Sequence, residues 1–217
     1  MDKAQPLIEA GRYMLSNHLA WGTSGNISMR LDTENMLITA SGTFMGNLSP
    51  EDFVEYDIHS GENRGFKKPS KETPMHSEIY KRRSDIGAIL HSSPFYTTLI
   101  ACSKEPILSN LFIETMYYLE YVAYVDYFHP GTPELAEAVS KQSSNANIVI
   151  MRNHGATVFD DTLNDALMRL ETLEMACRMI IMAKSAGIEL SEIPAHVRRS
   201  FLEESRYKTR KKMNYLD

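Results

Sequence analysis

The sequence predicts an α/β fold: one layered domain with a mixed or mainly antiparallel central sheet flanked by helices. Three observations carry this. Helical apolar periods and short apolar runs are interleaved along the chain. Two early runs are close enough to pair as a hairpin. The length of 217 residues suits one domain with a sizeable core, taken here as 1–217.

The elements follow in order. Leu7, Ile8, Gly11, Met14 and Leu15 recur at helical spacing and predict a helix from Ala4 to Asn17. The small residues of Trp21–Gly25 predict a loop. Strands are expected over Asn26–Leu31 and Met36–Ala40, joined by the polar turn Asp32–Asn35, and again over Phe53–Ile58. His59–Ser70 is polar, with Gly61, Gly65 and Pro69, and reads as a surface excursion. Pro74 suits the first turn of a helix that runs to Arg83. A strand over Ala88–His91 precedes a helix from Pro94 to Ala101. Tyr121–Phe128 alternates as a strand, and Thr132 caps a helix over Glu134–Ser143. Ile148–Met151 is a buried strand ending in Arg-Asn-His-Gly. Thr162 caps a long helix, Leu163–Ala186, which Gly187 stops, and Pro194 starts a last, charged helix.

Composition narrows the functional classes. With 23 Lys and Arg against 28 Asp and Glu, the net charge of −5 gives no global attraction to nucleic acid or to an anionic membrane. The basic run Arg206–Lys212 reads as a solvated helix end. No stretch approaches a membrane span, and the N-terminus lacks the pattern of a signal peptide. Two cysteines outside any CxxC pair suit a reducing compartment, so a cytoplasmic location is expected, with Cys177 as core packing.

Few residues offer chemistry. His91 ends one strand and His154 follows another, and imidazole is a common metal ligand. The two lie far apart in the chain, so spacing alone leaves two hydrogen-bonded histidines as the simpler reading. Glu72 stands at an exposed helix start, where a carboxylate favours the helix dipole. It could equally serve as a general acid/base or a metal ligand. Ser70 and Lys71 beside it are donors suited to an anion. Gly25-Asn26 and Ser41-Gly42 are small-residue loops whose backbone N–H groups can approach an oxyanion. His18, His59, His129 and His196 have no motif around them, and His76 packs inward.

These pieces occur in a recognisable order. GTSGNIS (Gly22–Ser28), ITASG (Ile38–Gly42), KPSKETPMHSEIY (Lys68–Tyr80), AILHSSPFYTT (Ala88–Thr98), DYFHPGTPELAEAV (Asp126–Val139) and IVIMRNHGATVF (Ile148–Phe159) together resemble the class II aldolase/adducin family. The resemblance implies a divalent metal, zinc by family habit, on three histidines. His91 and His154 match two of them, but Ser93 stands at the position of the third. Hydroxyl is a poor zinc ligand beside imidazole. Glu72 could supply the missing donor, a set that also suits manganese or iron, with Ser93 holding a water. The resemblance assigns acid/base work to Glu72 and anion binding to Thr23, Asn26, Ser41, Gly42 and Ser70. Lys71 gives a PSKE motif similar to that of 3-oxo-tetronate 4-phosphate decarboxylases. Tyr127 matches a tyrosine that protonates substrate across a subunit interface, and Tyr207 is a further candidate in the tail.

The implied function is a carbon–carbon lyase, aldolase or decarboxylase, on a small phosphorylated or acidic sugar-like substrate, working through a metal-bound enediolate in a homotetramer. The alternatives are a catalytically silent binding module and a sugar-phosphate epimerase.

Overall fold

The computed structural model describes residues 3–204. Tyr207 and the basic run therefore lie outside the described residues. The chain runs α1 (Gln5–Ser16), β1 (Asn26–Arg30), β2 (Asn35–Thr39), β3 (Phe53–Asp57), α2 (Thr73–Arg82), β4 (Ala88–Ser92), α3 (Phe95–Ala101), α4 (Ile113–Tyr118), β5 (Val122–Val125), α5 (Pro133–Ser143), β6 (Ile148–Met151), β7 (Gly155–Asp160), α6 (Leu163–Ala186) and α7 (Ala195–Glu204). One seven-stranded sheet has the order β3-β2-β1-β4-β7-β6-β5. All neighbours pair antiparallel except β5 and β6, so the mixed, mainly antiparallel sheet is as expected.

Strand residues alternate between two faces, and each face has its own apolar cluster. Ile27, Leu37, Ala88, Leu90, Ile150 and Val158 pack toward α1, α3 and α6. Met36, Ile38, Ile89, Val149 and Phe159 pack toward α2 and α5. Each Ile, Leu, Val, Met or Phe among them, fully buried, contributes about 1.5–3 kcal/mol. The alternation also places polar side chains. If Ile27 and Leu90 face α1 and α6, then Asn26, Ser28 and His91 must face α2. The register confirms the grouping, since Asn26 sits opposite His91 across β1–β4 and His91 opposite Thr157 across β4–β7.

The helix ends follow local chemistry. Thr132 and Thr162 each accept a hydrogen bond from the backbone N–H three residues on, as caps. Gly187 closes α6 at φ 67°, in the left-handed region open to glycine. Two elements were not expected, α4 and β7. The expected strand Tyr121–Phe128 shortens to Val122–Val125, because Asp126 and Tyr127 are exposed beyond the sheet.

Candidate active site

Three distant segments meet where β4, the β6–β7 turn and the start of α2 converge. Glu72, His91 and His154 each bring one ligand-type atom, and these atoms lie within 4.8 Å of one another. Glu72 Oε2 is 3.1 Å from His91 Nε2, and Glu72 Oε1 is 3.4 Å from His154 Nε2. The two imidazole rings stand edge to face at 4.8 Å.

Backbone geometry makes the meeting possible. Gly25 has φ 92°, and a Cβ there would stand 2.6 Å from the His91 carbonyl oxygen. A side chain at this position would push β1 off β4. Asn153 takes a left-handed φ of 57°, which turns the chain sharply from β6 into β7 and swings His154 into the site. Gly155, at φ 154°, then passes so close that a Cβ would meet Ser92 O at 2.6 Å and Ser93 Oγ at 2.7 Å. Local sequence therefore fixes both histidine positions.

Glu72 lies at the helix start as expected, but it is buried, with only 8% exposure. The expectation of an exposed, dipole-favouring carboxylate is corrected here. Its side chain makes no capping bond and instead points at the sheet. Burial opposes its charge, but His91, His154 and a hydrogen bond from Asn26 Nδ2 at 2.8 Å outweigh that and hold its pKa far below the carboxylate range. His91 donates from Nδ1 to the Ala156 carbonyl at 3.0 Å, which leaves Nε2 facing Glu72. Burial disfavours its charged form, yet Glu72 and that carbonyl raise its pKa overall. The pocket thus favours one positive charge beside the carboxylate. His154 is pushed down to about 4 by burial and by His91, so near neutral pH it is an uncharged donor.

The donor set fits a divalent cation. Glu72 Oε1 is buried without a hydrogen-bond partner, and His154 Nε2 faces it at 3.4 Å. Leaving a buried polar atom unpaired costs about 1–3 kcal/mol, more for a charged one. Two imidazoles and a carboxylate are ordinary ligands for zinc, manganese or iron. Ser93 is not part of the cluster. Its hydroxyl donates to the His154 carbonyl oxygen at 3.0 Å, and its own carbonyl accepts from Trp21 Nε1 at 3.0 Å. It holds the β6–β7 turn against β4.

Of the anion-suited residues, Ser70 touches the cluster, its Oγ accepting from the Glu72 N–H at 3.3 Å. Ser41 N–H donates to Lys68 O at 2.9 Å and Ser70 N–H donates to Thr39 O at 3.1 Å, which pins Lys68–Ser70 beside the end of β2. Ser41 and Gly42 are therefore neighbours of Ser70. Met45 N–H donates to Gly22 O at 3.3 Å, which draws the Thr23 loop to the same edge. Thr23, Ser41, Gly42 and Lys71 are exposed. Asn26 differs: it is buried, and its amide is engaged by Glu72 and by His76. Lys71 and Ser70 line a cleft with Pro130 and Gly131, the loop that follows Tyr127. Tyr127 itself is 51% exposed, and its hydroxyl pairs with His129 Nδ1 at 3.0 Å rather than with Glu72 or the two site histidines.

Sequence reasoning assigned no role to Ser28 and Tyr80, and read His76 only as packing inward. A signal was available. Glu72, His76 and Tyr80 are four apart, which puts them on one stripe of a helix.

Comparison with known proteins adds a second line of observation. A family model described as "Class II Aldolase and Adducin N-terminal domain" matches residues 5–181. The chain is 30% identical to an L-fuculose phosphate aldolase of Methanocaldococcus jannaschii, over 84% of this chain and 97% of that protein. It is 32% identical to a 3-oxo-tetronate 4-phosphate decarboxylase of Haemophilus influenzae, over 80% of this chain and 84% of that protein. Among solved structures, an L-fuculose 1-phosphate aldolase superimposes with a TM-score of 0.83 at 29% identity, covering 95% of this chain and 97% of the other.

Proposed function

The chain belongs to the class II aldolase and adducin N-terminal domain family, and from that premise we propose that it is a metal-dependent carbon–carbon lyase, aldolase or decarboxylase, acting on a small phosphorylated or acidic sugar-like substrate. The observation that carries the reading is the convergence of Glu72, His91 and His154 around a buried carboxylate oxygen that has no hydrogen-bond partner.

Glu72, His91 and His154 would hold the ion. A bound divalent cation would supply Lewis acidity toward a substrate carbonyl. The protein's own residues do the rest. Thr23, Ser41, Gly42, Ser70 and Lys71 grip the anionic end, with Asn26 at the inner edge, and orient the scissile bond over the cluster. Cleavage of that bond leaves charge that spreads into the adjoining carbonyl as an enediolate. Glu72 moves the proton at carbon. Tyr127, exposed on its own chain, serves the leaving or attacking aldehyde oxygen across an interface of a cytoplasmic homotetramer.

Ser93 favours manganese or iron as readily as zinc, because it removes one imidazole from the family set. It is also the one feature that favours a silent module. Two assays on the full chain, each with zinc, manganese or ferrous ion, decide the matter. Aldehyde release from L-fuculose 1-phosphate is expected of an aldolase, and carbon dioxide release from a 3-oxo-tetronate 4-phosphate of a decarboxylase. Neither release, together with no uptake of any of the three ions, leaves the silent module. Mixing Glu72→Gln subunits with Tyr127→Phe subunits should restore part of the activity. No recovery after confirmed subunit exchange would place both residues in one chain's site.

A further inference from the structure

We infer that His76 is a positioning residue: the stripe Glu72–His76–Tyr80 on α2 and the pair Asn26–Ser28 on β1 form a one-way hydrogen-bond relay that anchors Oε2 of Glu72 and leaves Oε1 turned toward His154 in the cluster. The inference rests on the reading of Glu72 as a residue that holds the ion, given above.

The geometry begins with two matched periods. Residues four apart on a helix rise about 6 Å, and residues two apart on a strand rise about 6.6–6.8 Å. A polar stripe on each can therefore interlock over several steps. The contacts run in sequence. Tyr80 and Ser28 hydroxyls are 3.0 Å apart. Ser28 Oγ is 2.7 Å from His76 Nδ1, and His76 Nε2 is 2.6 Å from Asn26 Oδ1. Asn26 Nδ2 donates to Glu72 Oε2 at 2.8 Å.

The carboxylate sets the sense of the relay. An ionised carboxylate only accepts, so Asn26 must present Nδ2 to it and Oδ1 to His76. His76 must then donate from Nε2 and accept at Nδ1. Ser28 must donate to Nδ1, and Tyr80 must donate to Ser28. The reverse sense would set the Asn26 carbonyl oxygen against the Glu72 carboxylate. Burial supports the assignment by holding His76 neutral, its pKa pushed down to about 3. The far end is clamped, since Arg30 lies 4.6 Å over the Tyr80 ring and donates to the Tyr80 carbonyl oxygen at 2.8 Å. The near end is asymmetric: Oε2 takes the Asn26 bond, while Oε1 is buried with no hydrogen-bond partner. A helix docked for packing alone would bury apolar groups on this stripe, as it does with Met75 and Ile79 beside it.

The test uses the full chain and two readouts. Nitrogen-15 NMR of labelled histidine reports the His76 tautomer, its signal identified by loss in His76→Gln. The relay predicts protonated Nε2 and bare Nδ1 near neutral pH, and a protonated Nδ1 overturns it. Manganous ion alone is then titrated. His76→Phe should weaken binding about 10–100-fold, as loss of a partner behind a ligand does. His76→Gln should recover most of that, because its amide can still donate to Asn26. Equal affinity in wild type and His76→Phe, or equal loss in both variants, overturns the positioning role. Tyr80→Phe, a smaller change, should weaken binding less than His76→Phe and covers the case in which the latter does not fold; unaltered affinity in Tyr80→Phe then counts against the relay. If wild type takes up no manganous ion, the ion-binding reading fails and the tautomer alone decides the relay.

Discussion

Two of the buried charge clusters in this molecule are finished differently. At the β7–α6 junction, Arg169 donates to Asp160 through Nη2 at 2.6 Å and Nε at 3.1 Å, and through Nη1 to the Tyr118 carbonyl oxygen. Asp160 also accepts from the Asp161 N–H at 2.9 Å. No side-chain atom of this pair is left unpartnered. The Glu72 cluster is less deeply set, yet Glu72 Oε1 and His154 Nδ1 have no hydrogen-bond partner. A saturated buried pair can only hold the fold together. An unsaturated one keeps valence for something else, and the protein tolerates its cost for that reason.

Substitutions should separate the two. Glu72→Gln is expected to lower turnover by about 10²–10⁴-fold with the unfolding midpoint unmoved or raised. Near-normal turnover would sink the acid/base role. Arg169→Met should do the reverse, costing about 3–5 kcal/mol because a buried carboxylate loses its guanidinium. Denaturant titration measures it, and the folded fraction should bind manganous ion as wild type does.

Ion addition gives a smaller contrast. At one hundred times the dissociation constant, a ligand that binds only the folded chain stabilises it by about 2.7 kcal/mol. Wild type and Arg169→Met should both gain this in thermal melts with manganous or zinc ion, and His91→Ala should not. A gain in His91→Ala would mean that the ion sits elsewhere.

Acid should also tell the regions apart. Burial holds His76 neutral with its pKa lowered to about 3, while in the unfolded chain it titrates near 6.5. Its contribution is present above about pH 6.5 and is lost as pH falls toward 3, at up to about 1.4 kcal/mol per pH unit. His76→Gln should flatten the stability profile over that window, and Arg169→Met should leave its slope in place. The smallest effect is expected at Ser93. Ser93→His should tighten zinc retention through dialysis by adding an imidazole, at about 1 kcal/mol for the lost bond to the His154 carbonyl. Unaltered retention would show that the new ring faces away from the cluster.

Much of the fold could be read in the sequence because most elements carry a period or a cap. α6 was bounded by Thr162 and Gly187, and α5 by Thr132. β7 was missed because all six of its residues are buried, so no alternation appears. α4 has only six residues, too few for a period to show. In the site, motif order singled out Glu72, His91 and His154. Their meeting was not legible, because it depends on the left-handed turn at Asn153 and on β4 lying between β1 and β7. The burial of Glu72 was misread for a related reason: a carboxylate at a helix start looks solvated until the helix is docked.

The strand order also sets a timetable. β4 takes its second neighbour, β7, only after β5, α5 and β6 have been made, and His154 stands in the turn just before β7. On a ribosome, Glu72 and His91 emerge long before their third companion. A nascent chain therefore carries an incomplete cluster until the turn into its last strand clears the exit tunnel, and no truncated product ending before His154 can present all three groups.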